Sequence, residues 1–350
     1  MADGSRVAVV IVSFNAGEHL PRALESLARQ EAPPARTIVV DNGSSDGSVA
    51  GLETRFPSVE LIALGRNTGF AAANNVGVNA AEDCDWVALL NPDAFPEPSW
   101  LRALLAAAES GGGHAFFASC MLSAQDPDLI DGIGDAYHPS GLSWRREHGR
   151  RVSGRRTPSV AAETFSASAG AALYRRDAFL SAGGFDEQFF CYLEDTDLAF
   201  RLRLRGHRCR YVPEARVLHV GSAIAGRQSD FVVYHSNRNL VWTWAKNMPP
   251  ALLWPYLPLH LLVNVAMVAS YALRGQAGVV LRAKLDALRR LPELRRLRAE
   301  VQGSRTAGAG ELRAAMTRGL AGYQGTPARA PLDRLLGRLG LLDRRSASSA

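Results

Sequence analysis

Cysteine is scarce in this chain: four residues in 350, Cys84, Cys120, Cys191 and Cys209, widely scattered and with no CxxC pair among them. That pattern argues against a zinc knuckle and a disulfide framework, and it suits a reducing cytoplasm. No GxGxxG fingerprint follows the first apolar run, which leads into Ser13-Phe-Asn-Ala-Gly17 instead, so a nicotinamide dehydrogenase is disfavoured. A signal peptide is not expected, because the apolar run at 7–12 is short and reads better as a buried strand. Between Lys246 and Arg274 there is no Asp, Glu, Lys or Arg.

What is present describes a folded, loop-rich chain. A hydrophobic fraction of 47%, with 32 glycines and 18 prolines in 350 residues, is enough for a sizeable core. The formal net charge of +6 is uneven, since residues 271–350 hold 16 Arg and Lys against 6 Asp and Glu, while the first 270 hold 24 against 28. The basic character belongs to the tail, which an anionic membrane surface or a nucleic acid would attract on charge alone.

The first half alternates two periodicities. The β-branched run 7–12 predicts a strand covered on both faces, and Leu20, Ala23, Leu24 and Leu27 predict one helix face behind it. Residues 37–40, 59–64 and 85–90 read as further strands and 70–81 as a helix, an alternation that predicts a mainly parallel sheet with helices on both faces. Ligands of such sheets gather at the C-terminal strand ends, which here carry Ser13, Phe14 and Asn15, then Asp41 and Asn42, then Asn91 and Asp93. Residues 126–165, rich in Gly, Pro, His and Arg, read as a mobile loop near that end. Beyond it, 194–205 predicts a helix stopped by Gly206, and 209–218 predicts two short strands broken at Pro213.

Three features carry chemistry: Asn91-Pro-Asp93, Glu194-Asp-Thr-Asp197 and His219. Carboxylate and neutral imidazole suit Mg2+ or Mn2+, with water or phosphate filling the sphere, and a carboxylate kept off the metal suits a general base. Each also has a plainer reading. Asp93 and Asp41 fit turn chemistry, the acids at 194–197 fit a helix N-terminus, and His219 fits an ordinary interior histidine. Their joint occurrence in one order favours the chemical reading.

In that order, the motifs Val12-Ser-Phe-Asn15, Val40-Asp-Asn-Gly-Ser-Ser-Asp46, Asn67-Thr-Gly-Phe-Ala-Ala-Ala-Asn74, Leu90-Asn-Pro-Asp-Ala94, Gly183-Gly-Phe-Asp-Glu187, Tyr192-Leu-Glu-Asp-Thr-Asp-Leu198 and Leu218-His219 resemble the inverting family 2 glycosyltransferases. The likeness is to their rhamnosyltransferase-like branch and covers residues 6–245. It implies an α/β GT-A fold, a Rossmann-like, mostly parallel sheet flanked by helices, with a nucleotide-sugar half at 1–125 and an acceptor half at 126–245. Under this resemblance Asp195 matches the catalytic base. Asp93 and His219 match metal ligands, with Asn91 standing where an acidic residue is usual. Asp41 and Asn42 match the nucleobase end of the second strand. Ser13, Phe14, Asn67, Gly69 and Asn74 belong to the same donor pocket, with Phe14 placed to stack on the base. Arg238 reads as a diphosphate contact or a surface arginine, and Glu194 as an acceptor contact.

Residues 246–302 are expected to associate with the membrane. The charge-free stretch 247–273 is nominally long enough to cross a bilayer, but Pro249, Pro250, Pro255, Pro258, His260 and Asn264 oppose a simple span. Leu281, Leu285, Leu288, Leu291, Leu294 and Leu297 recur among arginines as a basic amphipathic pattern interrupted by Pro292. Trp254 and Tyr256 fit an interfacial belt, as do Trp242 and Trp244, for which core packing competes. Since both 1–245 and the basic tail at 303–350 belong on the cytoplasmic side, monotopic attachment is expected at the cytoplasmic face of a bacterial inner membrane. The tail is expected to be partly disordered.

The resemblance thus implies transfer of rhamnose from dTDP-rhamnose to a polyprenyl-diphosphate-linked glycan. Galactofuranose, glucose or N-acetylhexosamine transfer from a UDP donor is the alternative. A processive synthase is disfavoured by the lack of a QxxRW motif, and intact Asp195 and His219 oppose a non-catalytic scaffold. The apolar neighbourhood of the tail favours membrane over nucleic acid as its partner, and an oligomer is compatible with everything above.

Overall fold

The structure, a computed structural model, describes residues 6–153, 160–221, 229–320 and 323. The first half runs β1 (Val7–Ser13), α1 (His19–Ala28), β2 (Arg36–Asp41), α2 (Leu52–Arg55), β3 (Val59–Ala63), α3 (Phe70–Ala80), β4 (Trp86–Leu90), β5 (Ala94–Pro96), α4 (Trp100–Glu109) and β6 (His114–Ser123). Short strands follow, β7 (Ile130–Gly132), β8 (Asp135–Tyr137), β9 (Ser143–Arg145) and β10 (Ala162–Thr164), then β11 (Ala171–Arg175), α5 (Arg176–Ser181), α6 (Glu194–Leu204) and β12 (Arg208–His219). The chain continues with helices α7 (Asp230–Asn247), α8 (Pro250–Ala272), α9 (Ala277–Arg289), α10 (Leu291–Gly303) and α11 (Ala309–Ala315).

The run of β-branched residues in β1 serves two cores. Val7, Val9 and Ile11 pack with α1 and α4, while Ala8, Val10 and Val12 pack with α3, α5 and α6. The main sheet runs β10-β12-β6-β11-β4-β1-β2-β3, with β5 beside β12 and β7 beside β6. β1 lies between β2 and β4 and is parallel to both, the switch in strand order at whose C-terminal ends such sheets hold their ligands.

The parallel sheet expected from the alternation holds for β1 to β4, and beyond them the sheet is mixed. β11 enters antiparallel between β4 and β6. A parallel neighbour needs a crossover, usually a helix, and the described residues between β6 and β11 form only short strands. That same segment corrects the mobile loop expected at 126–165: over 126–153 and 160–165 it is folded. β7 pairs with β6, β8 with β9 and β10 with β12. β12 is one strand rather than two, because Pro213 falls in the register shift between Val212 and Arg216, where its missing N–H is not needed.

The C-terminal helices form a further layer. Trp242 of α7, Ala287 of α9 and Leu294 of α10 share a small core. The leucine repeat splits at Pro292, which starts α10: Leu281, Leu285 and Leu288 are exposed, whereas Leu294 is buried. The apolar stretch forms one 23-residue helix, α8, with Pro255 and Pro258 inside it. Among the described residues it is the one helix long and apolar enough to cross a membrane by length and composition. Residues 303–320, the start of the tail expected to be partly disordered, are folded. Leu312 and Met316 pack beside Tyr137 and Phe200, and Leu320 with Tyr323 packs beside Val263 and Met267. Apolar residues four apart give this stretch a face to bury. The rest of the tail, 321–322 and 324–350, lies outside the described residues.

Candidate active site

The first part of the candidate site is built by turns at the ends of β1 and β2. Register sets Ser13 opposite Asp41, and the Asn42 N–H donates to Ser13 O at 2.8 Å. Asp41 Oδ1 accepts the Ser44 N–H at 3.0 Å, closing the turn. Asn42 then ties in the next loop: its Nδ2 donates to Asn67 Oδ1 at 3.0 Å and its Oδ1 accepts the Thr68 N–H at 2.8 Å. Asn67 Oδ1 also accepts the Gly69 N–H at 2.9 Å. Gly43 and Gly69 are required here. Both have positive φ, and a Cβ at Gly43 would meet the Arg66 backbone at 2.7 Å, one at Gly69 the Phe190 ring at 2.6 Å. Ser13 is buried with no partner for its Oγ among the described residues, Phe14 is half-buried, and Asn74 turns back to donate to Phe70 O at 2.9 Å.

The second part is the turn after β4. Asn91 N donates to Gly170 O, and Ala94 N to Asn91 O, which folds Asp93 inward to 6% exposure. β5 pairs with β12 so that Ala94 faces His219. His219 Nε2 comes to lie 3.3 Å from Asp93 Oδ1 and 3.5 Å from the Asn91 amide nitrogen. Its other nitrogen, Nδ1, donates to Asp131 Oδ2 at 2.7 Å. Burial works against the charged imidazole, but Asp131 and Asp93 outweigh it and lift His219 to about 9. Burial likewise opposes charge on Asp93 and Asp131, and His219, joined at Asp131 by Arg145, more than offsets it, holding both below the usual carboxylate range.

The third part is the start of α6. Asp195 Oδ1 accepts the Thr196 N–H at 2.7 Å and its Oδ2 the Ala169 N–H at 3.2 Å. Ala169 and Gly170 thus join the Asp195 carboxylate to the Asn91 turn, bringing the two motifs to one place. Burial raises Asp195 despite these donors. Glu194 is raised well above its ordinary value by burial and by Asp195, and its Oε2 has no partner among the described residues. Asp197 plays a different part. It is fully buried, pairs with Arg201 at 2.9 Å and Lys246 at 2.9 Å, and accepts from Asn247, so it anchors α6 to α7.

The loop entering α6 is strained, with Phe190, Tyr192 and Leu193 all at positive φ. Buried Asn239 holds it, its Nδ2 donating to the carbonyls of Phe189, Cys191 and Tyr192 at 2.7–3.0 Å. Arg238 donates to the carbonyls of Gln188 and Phe189 and lies over the Trp242 ring, so its present hydrogen bonds serve this loop and not an anion. Sequence patterns missed Asn239 and also the segment that supplies Asp131, Asp135 and Arg145. Arg145 Nη1 lies 2.7 Å from both Asp131 oxygens. Asp135 is pushed up to about 7 by burial and by Asp195 nearby. An acid flanked by Gly and Pro offered no periodicity from which to find these residues.

Among the described residues no three His, Cys, Asp or Glu side chains form a complete metal cage. The Asp93 oxygen and His219 nitrogen still fit a divalent cation that takes its remaining ligands from water and phosphate, as Mg2+ and Mn2+ do.

Residues 8–181 match the family described as glycosyl transferase family 2. The chain is 32% identical over 257 residues to an N-acetylglucosaminyl-diphospho-decaprenol L-rhamnosyltransferase of Mycobacterium tuberculosis, spanning 65% of this chain and 81% of that protein. Its fold is similar to that of GalNAc-T7, solved with UDP, GalNAc and Mn2+, at a TM-score of 0.57 and 17% identity, over 69% of this chain and 48% of that one. It is also similar to a mannosyltransferase of Pyrobaculum calidifontis, solved with GDP-Man and Mn2+, at 0.51 and 16% identity, over 98% and 82% of the two chains.

Proposed function

We propose, since this chain belongs to glycosyl transferase family 2 and is a glycosyltransferase, that it moves rhamnose from dTDP-rhamnose to a polyprenyl-diphosphate-linked glycan with inversion. The observation carrying this reading is that the Asn91-to-Asp93 turn, His219 and Asp195 meet through Ala169 and Gly170 at the strand ends. The donor nucleotide would lie against Ser13, Phe14, Asp41, Asn42, Asn67 and Gly69. Asp195 takes the proton from the acceptor hydroxyl, and its buried, raised carboxyl suits a base at neutral pH. Asp93 and His219, with Asn91 beside them, would hold Mg2+ or Mn2+, which offsets charge on the departing diphosphate when bound. The rhamnosyltransferase relative supports the sugar and the lipid-linked acceptor. The UDP bound in GalNAc-T7 keeps a UDP-sugar donor as the rival outcome.

The proposed address is the cytoplasmic face of a membrane, with α8 lying in the surface. Trp254 is 67% and Leu273 76% exposed, and Leu261, Val265, Leu281, Leu285 and Leu288 extend the apolar face. The opposite side of α8 is tied to the body. His260 stacks on Trp244 and donates to Ser140 O at 2.8 Å, while Val263 and Met267 are buried. A crossing would strip those contacts, whereas an in-plane helix keeps them and seats its apolar face at the headgroup boundary. Arginines beside the exposed leucines, Arg282 and Arg289, suit anionic lipid.

The deciding experiment incubates a panel of nucleotide sugars with polyprenyl-diphosphate glycans, with and without EDTA. Transfer from dTDP-rhamnose that EDTA abolishes is the expected result. Transfer from UDP-sugars alone replaces the donor, and undiminished transfer under EDTA removes the metal role.

A further inference from the structure

We infer that Asp131 is a positioning residue for His219, presenting its Nε2 to the cation site proposed at Asp93; the inference rests on that metal reading. Strand register delivers it. β7 pairs with β6 so that Gly132 faces Met121, and β6 pairs with β12 so that Met121 faces Val217 and Ser123 faces His219. Asp131 therefore arrives beside His219 from a segment 88 residues away, with Oδ2 2.7 Å from Nδ1. Both side chains are almost wholly buried, 6% and 4% exposed, so water does not compete for this hydrogen bond.

The consequence is a choice of tautomer. A neutral imidazole carries its hydrogen on one nitrogen and its lone pair on the other. Once the Nε2 proton is given up, a carboxylate at Nδ1 keeps the remaining hydrogen there, which leaves the lone pair on Nε2, the nitrogen 3.3 Å from Asp93 Oδ1. Asp131 is itself fixed. Arg145 Nη1 reaches both of its oxygens at 2.7 Å, and the Asp131 carbonyl accepts from His148 Nδ1 at 2.8 Å. The carboxylate cannot swing away from His219 without breaking those contacts.

The rival is a buried Asp131–His219–Asp93 ion triad that only holds β5, β7 and β12 together. The two differ in cation affinity. Mn2+ is titrated into the full chain with a nucleoside diphosphate present, and free Mn2+ is read by electron paramagnetic resonance. Asp131→Asn is expected to weaken binding about 10- to 100-fold, and Asp131→Leu at least as much, since it leaves Nδ1 without an acceptor. A thermal midpoint measured without Mn2+ separates lost affinity from lost fold. If Asp131→Asn and Asp131→Leu both bind Mn2+ like the wild type, the inference is wrong while the metal reading stands. If the wild type binds none, both fall together.

Discussion

The proposed donor side and the proposed acceptor side of this site are held together by different means. On the donor side the partners are close in sequence. Ser44 and Asp41 are 3 residues apart, Gly69 and Asn67 are 2 apart, and the longest of the links described above, Asn42 to Ser13, spans 29. On the acceptor side the partners are distant. His219 meets Asp131 across 88 residues, Lys246 meets Asp197 across 49, and Asn239 meets Tyr192 across 47. The first side is a set of turns shaped by amide side chains and glycine. The second is a set of buried charges and one strained loop, each kept in place by another element. Substitutions on the donor side should therefore act on nucleotide binding, and those on the acceptor side on rate or stability.

The strongest test of this division is Asp195→Asn. Removing the proposed base should lower transfer about 10²- to 10⁴-fold while the nucleotide dissociation constant stays within about twofold. Steady-state rates beside a calorimetric titration of nucleotide check it, and near-normal transfer by this variant would remove Asp195 from its role.

Asn239→Ala comes next. It takes a shared donor from three carbonyls of the loop 189–193, of which Phe189 O keeps Arg238, at a cost of about 1–3 kcal/mol in stability. Denaturant unfolding measures this directly. A loss below about 0.5 kcal/mol would mean that the strained loop is held by Arg238 and the local backbone alone.

On the donor side, Gly69→Ala places a Cβ against the Phe190 ring at a φ of 90°. Local strain of about 1–3 kcal/mol should displace the loop and weaken nucleotide binding about tenfold. This variant also probes the seam between the two sides, because Ala71 N donates to the Phe190 carbonyl. An unchanged dissociation constant combined with a fallen rate would assign Gly69 to the acceptor side instead.

The same division explains what could be read from residues alone. β1 to β4 and the turns at their ends were legible because apolar periodicity and cap-forming residues are local signals, as in the run Val7 to Val12 and the pair Asp41 and Asn42. Asp93, Asp195 and His219 were proposed from motif order, and the structure brings them together. Asp131 and Asp135 were not, since nothing in a Gly- and Pro-rich stretch announces which carboxylate will be buried opposite a histidine 88 residues on. The antiparallel entry of β11 was not legible for a related reason: its connection from β6 holds no helix among the described residues, which is a property of the path and not of residues 171–175. The leucine repeat at 281–297 had a sound period but two destinations, the surface before Pro292 and the core after it.

The smallest expected effect concerns how the acceptor side handles protons. Asp135 and Asp195 are both buried and near enough that each feels the other's charge. Asp195 receives two backbone N–H groups, whereas the hydrogen bond Asp135 accepts is from Ser166 Oγ at 3.5 Å, so Asp195 ionises first as pH rises. Activity should therefore be lost as pH falls through the raised pKa of Asp195, above the ordinary carboxylate range. Asp135 follows at about 7, and its new negative charge makes Asp195 the stronger base. The wild type should show a second rise in rate, roughly a few-fold, centred near pH 7. Asp135→Asn should keep the lower limb and lose this rise, because the amide carries no charge at any pH in the range. A pH–rate profile of both proteins at saturating donor decides the matter. Identical profiles would mean that Asp135 does not reach Asp195 electrostatically, and that the acceptor side tunes its base by burial alone.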